Sequence, residues 1–265
     1  MQIGAALATT LFDELGPAGT VFLRVGFSAL VLVALWRPAL RGIAGARGRD
    51  VVLFGISLAA MNFSFYAALD RIPLGIAVTF EFVGPLGVAI ASSRRRLDLL
   101  WVALAAAGIL LLSPLPGGGL DEVGVLLALV AGGFWAAYIV LSARVGRSFA
   151  GGDGLALAMC VATVVLVPVG IPVAGDELLN LTLLAVGASV AMLSSVIPYS
   201  LELEALRRLP QGTFGVLMSL EPAVAATVGF IGLDQDLAAS EVVAIGLVVA
   251  ASAGALRTAP PAAEA

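Results

Sequence analysis

LDRIPLGIAVTFEFVGPLGVAIASSRRR, residues 69–96, decides the fold. Residues 73–93 form one apolar run, and a run of about 20 residues is enough to cross a bilayer. A single carboxylate, Glu81, sits near its middle. Pro85 follows four residues later, and Arg94, Arg95 and Arg96 close the stretch. The pattern returns 137 residues on as LRRLPQGTFGVLMSLEPAVAATV, residues 206–228. Aligned without a gap, Pro73 falls on Pro210, Gly75 on Gly212 and Pro85 on Pro222, and six of the first 21 positions are identical. An internal repeat with a charged, proline-broken apolar helix in each half points to a secondary transporter.

The rest of the chain has the same character. Of its 265 residues 60% are hydrophobic and 12% charged, and the mean hydropathy is +1.08. Soluble domains carry about 25% charged residues, so a polytopic helical membrane protein is expected. All 14 basic residues are Arg, and there is no Lys and no His. A histidine proton relay or metal site is thereby excluded, and titration in the membrane falls to carboxylates. A Walker loop needs its lysine, so direct ATP drive by this chain is excluded. With Cys160 the single cysteine, no intrachain disulfide can form. No basic patch suggests nucleic acid. An enzyme is not expected, and no cofactor is implied.

Outward from the deciding stretch, apolar runs occupy residues 19–36, 51–69, 73–93, 99–115, 123–145, 155–174, 182–203, 213–233 and 237–256. A shorter run, 1–12, reads as the outer half of a first helix whose start is missing. That gives ten transmembrane helices, with residues 258–265 as a disordered tail. With a cytoplasmic N-terminus, Arg37, Arg41, Arg47, Arg49, Arg94, Arg95, Arg96, Arg144, Arg147, Arg207, Arg208 and Arg257 all lie inside, 12 of 14. The positive-inside rule therefore selects cytoplasmic termini in a cell (inner or plasma) membrane. Outside turns are acidic: Asp13 and Glu14, Asp121 and Glu122, Asp176 and Glu177, Asp234 and Asp236. Five spans per half is an odd number, so the halves, 1–116 and 117–257, must be inverted copies. Such folds bind substrate near the midplane between the repeats.

Glu81 leads the candidates. A charge at mid-membrane costs roughly 2.5–3.5 kcal/mol on insertion scales, so it should face a cavity and serve as a proton or ammonium partner. Pro85 cannot donate to the Glu81 carbonyl, which frees that oxygen. Glu221, beside Pro222, lies mid-span but not at the position equivalent to Glu81, which is Met218. Glu202 follows Pro198 by four residues toward the cytoplasmic side. Arg24 is expected to snorkel outward, with pairing to a buried carboxylate as the alternative. Trp36 and Trp101 read as interfacial anchors. Asn62 with Tyr66, and Trp135 with Tyr138, each share a helix face at mid-depth. Cavity lining and interhelical hydrogen bonding are both open for these pairs. Gly246, Ala250 and Gly254 form a small-residue stripe suited to helix packing, with a homodimer seam as the alternative.

Four segments, FGISLAAMNFSFYAAL (54–69), IPLGIAVTFEFVGPLGVAIASSRR (72–95), FWAAYIV (134–140) and IPYSLELEALRRLPQGTFGVLMSLEPAVAA (197–226), resemble the EamA branch of the drug/metabolite transporter superfamily. The resemblance covers nearly the whole chain, and its specific part surrounds Glu81–Pro85 and Pro198–Pro222. It implies ten helices in two inverted repeats and efflux of small amino acids, threonine- or homoserine-like, or related metabolites. Positions matching the family pattern are Asn62, Tyr66, Glu81, Pro85, Trp135, Tyr138, Tyr199, Glu202, Glu221 and Pro222. The family's first helix begins before the point matching Met1. The expected function is a proton-coupled secondary exporter. Another metabolite or drug in the same fold, an uncoupled facilitator, or a non-transporting membrane subunit are the alternatives.

Overall fold

The computed structural model describes residues 1–38, 45–91, 98–112, 120–201 and 218–258. Glu202, Glu204, Arg41, the arginines at 94–96 and 207–208, and the tail after 258 lie outside the described residues. Every regular element among the described residues is helical. Lipid offers the backbone no hydrogen-bond partners, so a spanning chain must satisfy its own amides, as helices do.

The elements in chain order are α1 (Gln2–Thr9), α2 (Phe12–Trp36), α3 (Ala46–Leu69), α4 (Leu74–Glu81), α5 (Val83–Ala91), α6 (Asp98–Leu112), α7 (Glu122–Ser148), α8 (Asp153–Ala174) and α9 (Leu181–Ala191). A π-helical turn, Met192–Val196, continues α9, and then come α10 (Glu221–Gly232) and α11 (Ala239–Thr258). Among the described residues five stretches are long and apolar enough to cross a membrane: Phe12–Trp36, Arg47–Leu69, Glu122–Ser148, Asp153–Leu179 and Leu181–Leu201. Shorter apolar helices lie at Leu74–Val88, Glu221–Gly232 and Ala239–Gly254. Val164, Val169, Ile171 and Val173 stand out from α8 into the surroundings, as do Leu30 on α2 and Ile231 on α10. Apolar surface of that extent belongs in lipid. The chain is a multi-pass membrane protein.

Proline positions the breaks. α4 ends and α5 begins at Phe82, three residues before Pro85. The ninth apolar run breaks at Ser219–Leu220, and Pro222 occupies the first turn of α10. Phe82 and Ser219 are themselves equivalent in the 137-residue alignment. A proline lacks the amide that would close the turn before it, so equivalent prolines break the helix at equivalent places. α2 is also interrupted, at Gly16, whose φ of 61° suits glycine.

Packing is dominated by α3 on α7 and α2 on α8, then α6 on α11, α3 on α8, α4 on α10 and α5 on α7, with α2 on α9 and α4 on α7 next. One end of the bundle is tied by polar contacts. Asp121 caps α7 by accepting from the Gly124 amide at 2.8 Å and pairs with Arg71 at 3.1 Å. The Gln235 side-chain oxygen accepts from the Leu74 amide at 3.0 Å, capping α4 from the loop before α11. The turns expected to share one side of the membrane thus meet. At the other end, Trp101 of α6 lies against Gly254, which places one member of the small-residue stripe on a neighbour within the chain.

Candidate functional site

The helix breaks and the π-helical turn surround one cavity of about 440 Å³. Small-molecule sites occupy roughly 300–1,000 Å³. Glu81, Phe82 and Pro85 enter it from the α4–α5 break, and Met218 and Glu221 from the second break. Trp135 and Tyr138 contribute from α7, Asn62 and Phe65 from α3, and Tyr199 from the helix following the π-helical turn.

Glu81 is only 8% exposed, and its carboxylate accepts no hydrogen bond from any described residue. Its backbone has a separate task. The carbonyl freed by Pro85 faces α7, where a Cβ built on Gly132 would stand 2.6 Å from it. From the other side, a Cβ on Gly84 would stand 1.9 Å from the Gly132 carbonyl. The two glycines let α7 press on the break itself, and this contact sets where Glu81 enters the cavity. The expected free carbonyl is therefore packed against a neighbouring helix.

Glu221 differs from Glu81. It accepts a short hydrogen bond from the Gln2 amide nitrogen, across the α1–α10 contact. Gln2 is buried, and its side-chain oxygen has no partner among the described residues. The two carboxylates are close enough for Glu81 to feel the charge of Glu221 as well as that of Arg24. No direct ion pair joins either to Arg24 among the described residues, where Arg71–Asp121 is the pair present.

Arg24 corrects the sequence reading. It does not snorkel: it is 6% exposed and lines the cavity. Its Nε donates to Ser195 Oγ at 3.1 Å, and its Nη2 donates to the Ser194 carbonyl at 3.2 Å. The guanidinium lies over the Tyr66 ring, 5.2 Å from the centroid, a cation–π arrangement. Pro198 explains the carbonyl. In a regular helix residue 198 would donate to the oxygen of residue 194, and proline cannot. The oxygen that proline leaves open is the one Arg24 takes. Sequence reasoning noted Pro198 and Arg24 but could not join them across 170 positions.

Other expected residues divide. Asn62 lines the cavity while its amide nitrogen bonds back to the Leu58 carbonyl at 2.8 Å. Trp135 stacks edge-on against Phe82, centroids 5.5 Å apart, and Tyr138 packs against Phe54 at 5.2 Å. Tyr66 is fully buried one layer behind, beneath Arg24. Pro198 and Pro222 shape the walls without lining them.

A cavity of this kind, mostly apolar but carrying two carboxylates, a guanidinium and scattered amide and hydroxyl groups, fits a small solute. The EamA-like transporter family matches residues 122–257. The threonine/homoserine exporter RhtA of Salmonella typhimurium (strain LT2) is 42% identical over 260 residues, covering 97% of this chain and 88% of the relative. The same figures hold for RhtA of Escherichia coli (strain K12). The chain belongs to the EamA-like transporter family. A solved crystal structure 21% identical in sequence superposes with a TM-score of 0.61, covering 97% of this chain and 94% of the other, and supports the fold alone. EamA relatives named as exporters agree with a transport role and not a catalytic one.

Proposed function

We propose that the chain exports small amino acids, threonine- or homoserine-like, by alternating access of two inverted five-helix repeats, residues 1–116 and 117–257, with both termini cytoplasmic. The observation that carries this reading is the cavity, which is walled by proline-broken helices from both halves and holds the buried carboxylate of Glu81, the half-buried one of Glu221 and the buried guanidinium of Arg24. One guanidinium suits a single carboxylate better than a polyphosphate. Exporters of threonine and homoserine that are 42% identical over 97% of the chain supply the substrate class.

The packing supports the inverted repeat. Counting α4 and α5 as one span, helices five spans apart pair with each other: α2 with α8, α4 with α10, α6 with α11. The contact of α3 with α8 has its counterpart in α2 with α9, and that of α4 with α7 in α1 with α10. Exchanging the halves maps these pairs onto one another, as a two-fold relation would, although the α2–α3 contact has no comparable α8–α9 partner among the described residues.

Glu81 is the proton or ammonium partner in this reading, because it is the cavity carboxylate that no described residue bonds. Asn62, Tyr138, Trp135 and Tyr199 shape the space around the substrate, and Glu221 holds α1 through Gln2. Glu202 belongs to the same proposed set. Cells overproducing the chain should tolerate inhibitory threonine or homoserine, and cells lacking it should accumulate them. Unchanged tolerance and unchanged internal pools across a panel of amino acids would remove the reading.

A further inference from the structure

We propose that Arg24 is the carboxylate anchor of the cavity, so that an amino acid binds with its carboxylate toward the π-helical turn and its ammonium toward Glu81. The inference rests on the exporter reading and adds an orientation to it.

Three observations lead there. Arg24 is buried, yet no carboxylate among the described residues pairs with it directly. An unpaired cation inside a bilayer is costly, and such residues mark substrate pathways. Its hold on the protein leaves capacity to spare. A guanidinium has five N–H donors in a planar fork, and its bonds to Ser195 Oγ and the Ser194 carbonyl engage Nε and Nη2. Those acceptors are neutral. They fix the plane of the group without cancelling its charge. Tyr66 beneath the ring plane adds a second constraint. A pre-oriented fork with free donors recognises a carboxylate well.

The third observation is the opposite pole. Glu81 and Glu221 line the same cavity, and Arg24 is its one basic side chain among the described residues. A zwitterion neutralises both poles at once, whereas an amine or a neutral amide leaves the buried guanidinium unpaired. Discrimination against ligands lacking the carboxylate follows from that penalty. Ser195 is a positioning residue here: its hydroxyl aims the fork and need not touch the substrate.

Binding is read from the fluorescence of purified full-length chain, since Trp135 lines the cavity, and transport from counterflow of labelled threonine in proteoliposomes. The ligands are L-threonine, L-threoninamide and 1-aminopropan-2-ol, at a pH where each amine is protonated. Wild type should bind threonine at least 30-fold more tightly than either ligand without a carboxylate. Arg24→Gln should bring that ratio to within about threefold of unity, chiefly through loss of threonine affinity. Ser195→Ala should lower the ratio three- to tenfold, and Arg24→Lys should restore part of what Arg24→Gln loses. A merely structural Arg24 would change all three affinities together. Equal binding of threonine and threoninamide by wild type overturns the anchor, even if no variant folds. So does a ratio preserved in Arg24→Gln. Carboxylate-dependent binding without counterflow would instead remove the exporter reading and leave the anchor standing, and no binding of any amino acid would overturn both.

Discussion

Gly132 and Gly133 are adjacent on α7 and should behave in opposite ways. A Cβ on Gly132 would sit 2.6 Å from the Glu81 carbonyl oxygen, 3.2 Å from its carbon and 3.3 Å from its Cα. All three are backbone atoms, so no rotamer change relieves the clash. Reaching an ordinary 3.4 Å contact requires α7 and the α4–α5 break to part by about 0.8 Å. Overpacking of that kind costs about 1–3 kcal/mol, against which alanine recovers up to about 1 kcal/mol of helix propensity. Gly132→Ala should therefore destabilise by about 1–2 kcal/mol and move Glu81. Gly84→Ala is harsher, since its Cβ would lie 1.9 Å from the Gly132 carbonyl, and should reach about 3 kcal/mol or more. Nothing lies within 4 Å of a Cβ on Gly133, which is exposed. Gly133→Ala should be neutral or stabilising by up to about 1 kcal/mol. Fluorescence-detected size exclusion after a heating series ranks the three, and counterflow reports function. Equal melting of Gly132→Ala and Gly133→Ala would refute the claim that α7 seats on the break.

Three further outcomes are expected. Glu81→Gln should insert normally yet lower export at least tenfold, and any residual rate should ignore an imposed pH gradient; wild-type efflux that ignores the gradient would remove proton coupling. Ser57 Oγ donates to the Phe134 carbonyl at 2.9 Å between α3 and α7, so Ser57→Ala should cost about 0.6–1 kcal/mol in a denaturation midpoint series, and no loss would show the bond to be idle. The Gly124 amide and then Arg71 hold the Asp121 carboxyl below the usual carboxylate range. A lowered folded-state value contributes stability above the unfolded value of about 3.9, which fades as pH falls through the folded one. Asp121→Ala should therefore melt below wild type at neutral pH and converge with it in acid; a gap that persists in acid would point to packing instead.

Arg24 shows where sequence reasoning ran out. Charge, length and proline position are local properties. They were enough for an all-helical membrane fold and for expecting the helices to break near Pro85 and Pro222. The direction of an arginine is not local. It depends on whether acceptors wait nearby, and here they come from a π-helical turn about 170 positions away. Pro198 held half of that information, because it leaves the Ser194 oxygen open, but not the identity of the donor. Gly132 was unreadable for a similar reason, since its value lies in what α7 touches. The Gln2–Glu221 bond needs α1 and α10 to meet, which apolar periodicity does not reveal.

The most direct test of the central claim is counterflow in proteoliposomes containing the purified full chain. Vesicles loaded with unlabelled threonine or homoserine should take up the labelled amino acid transiently above equilibrium, with saturation, and the Glu81→Gln variant should show at least a tenfold slower rate. Uptake no faster than in protein-free vesicles, for those two and for the other small amino acids, would contradict the account.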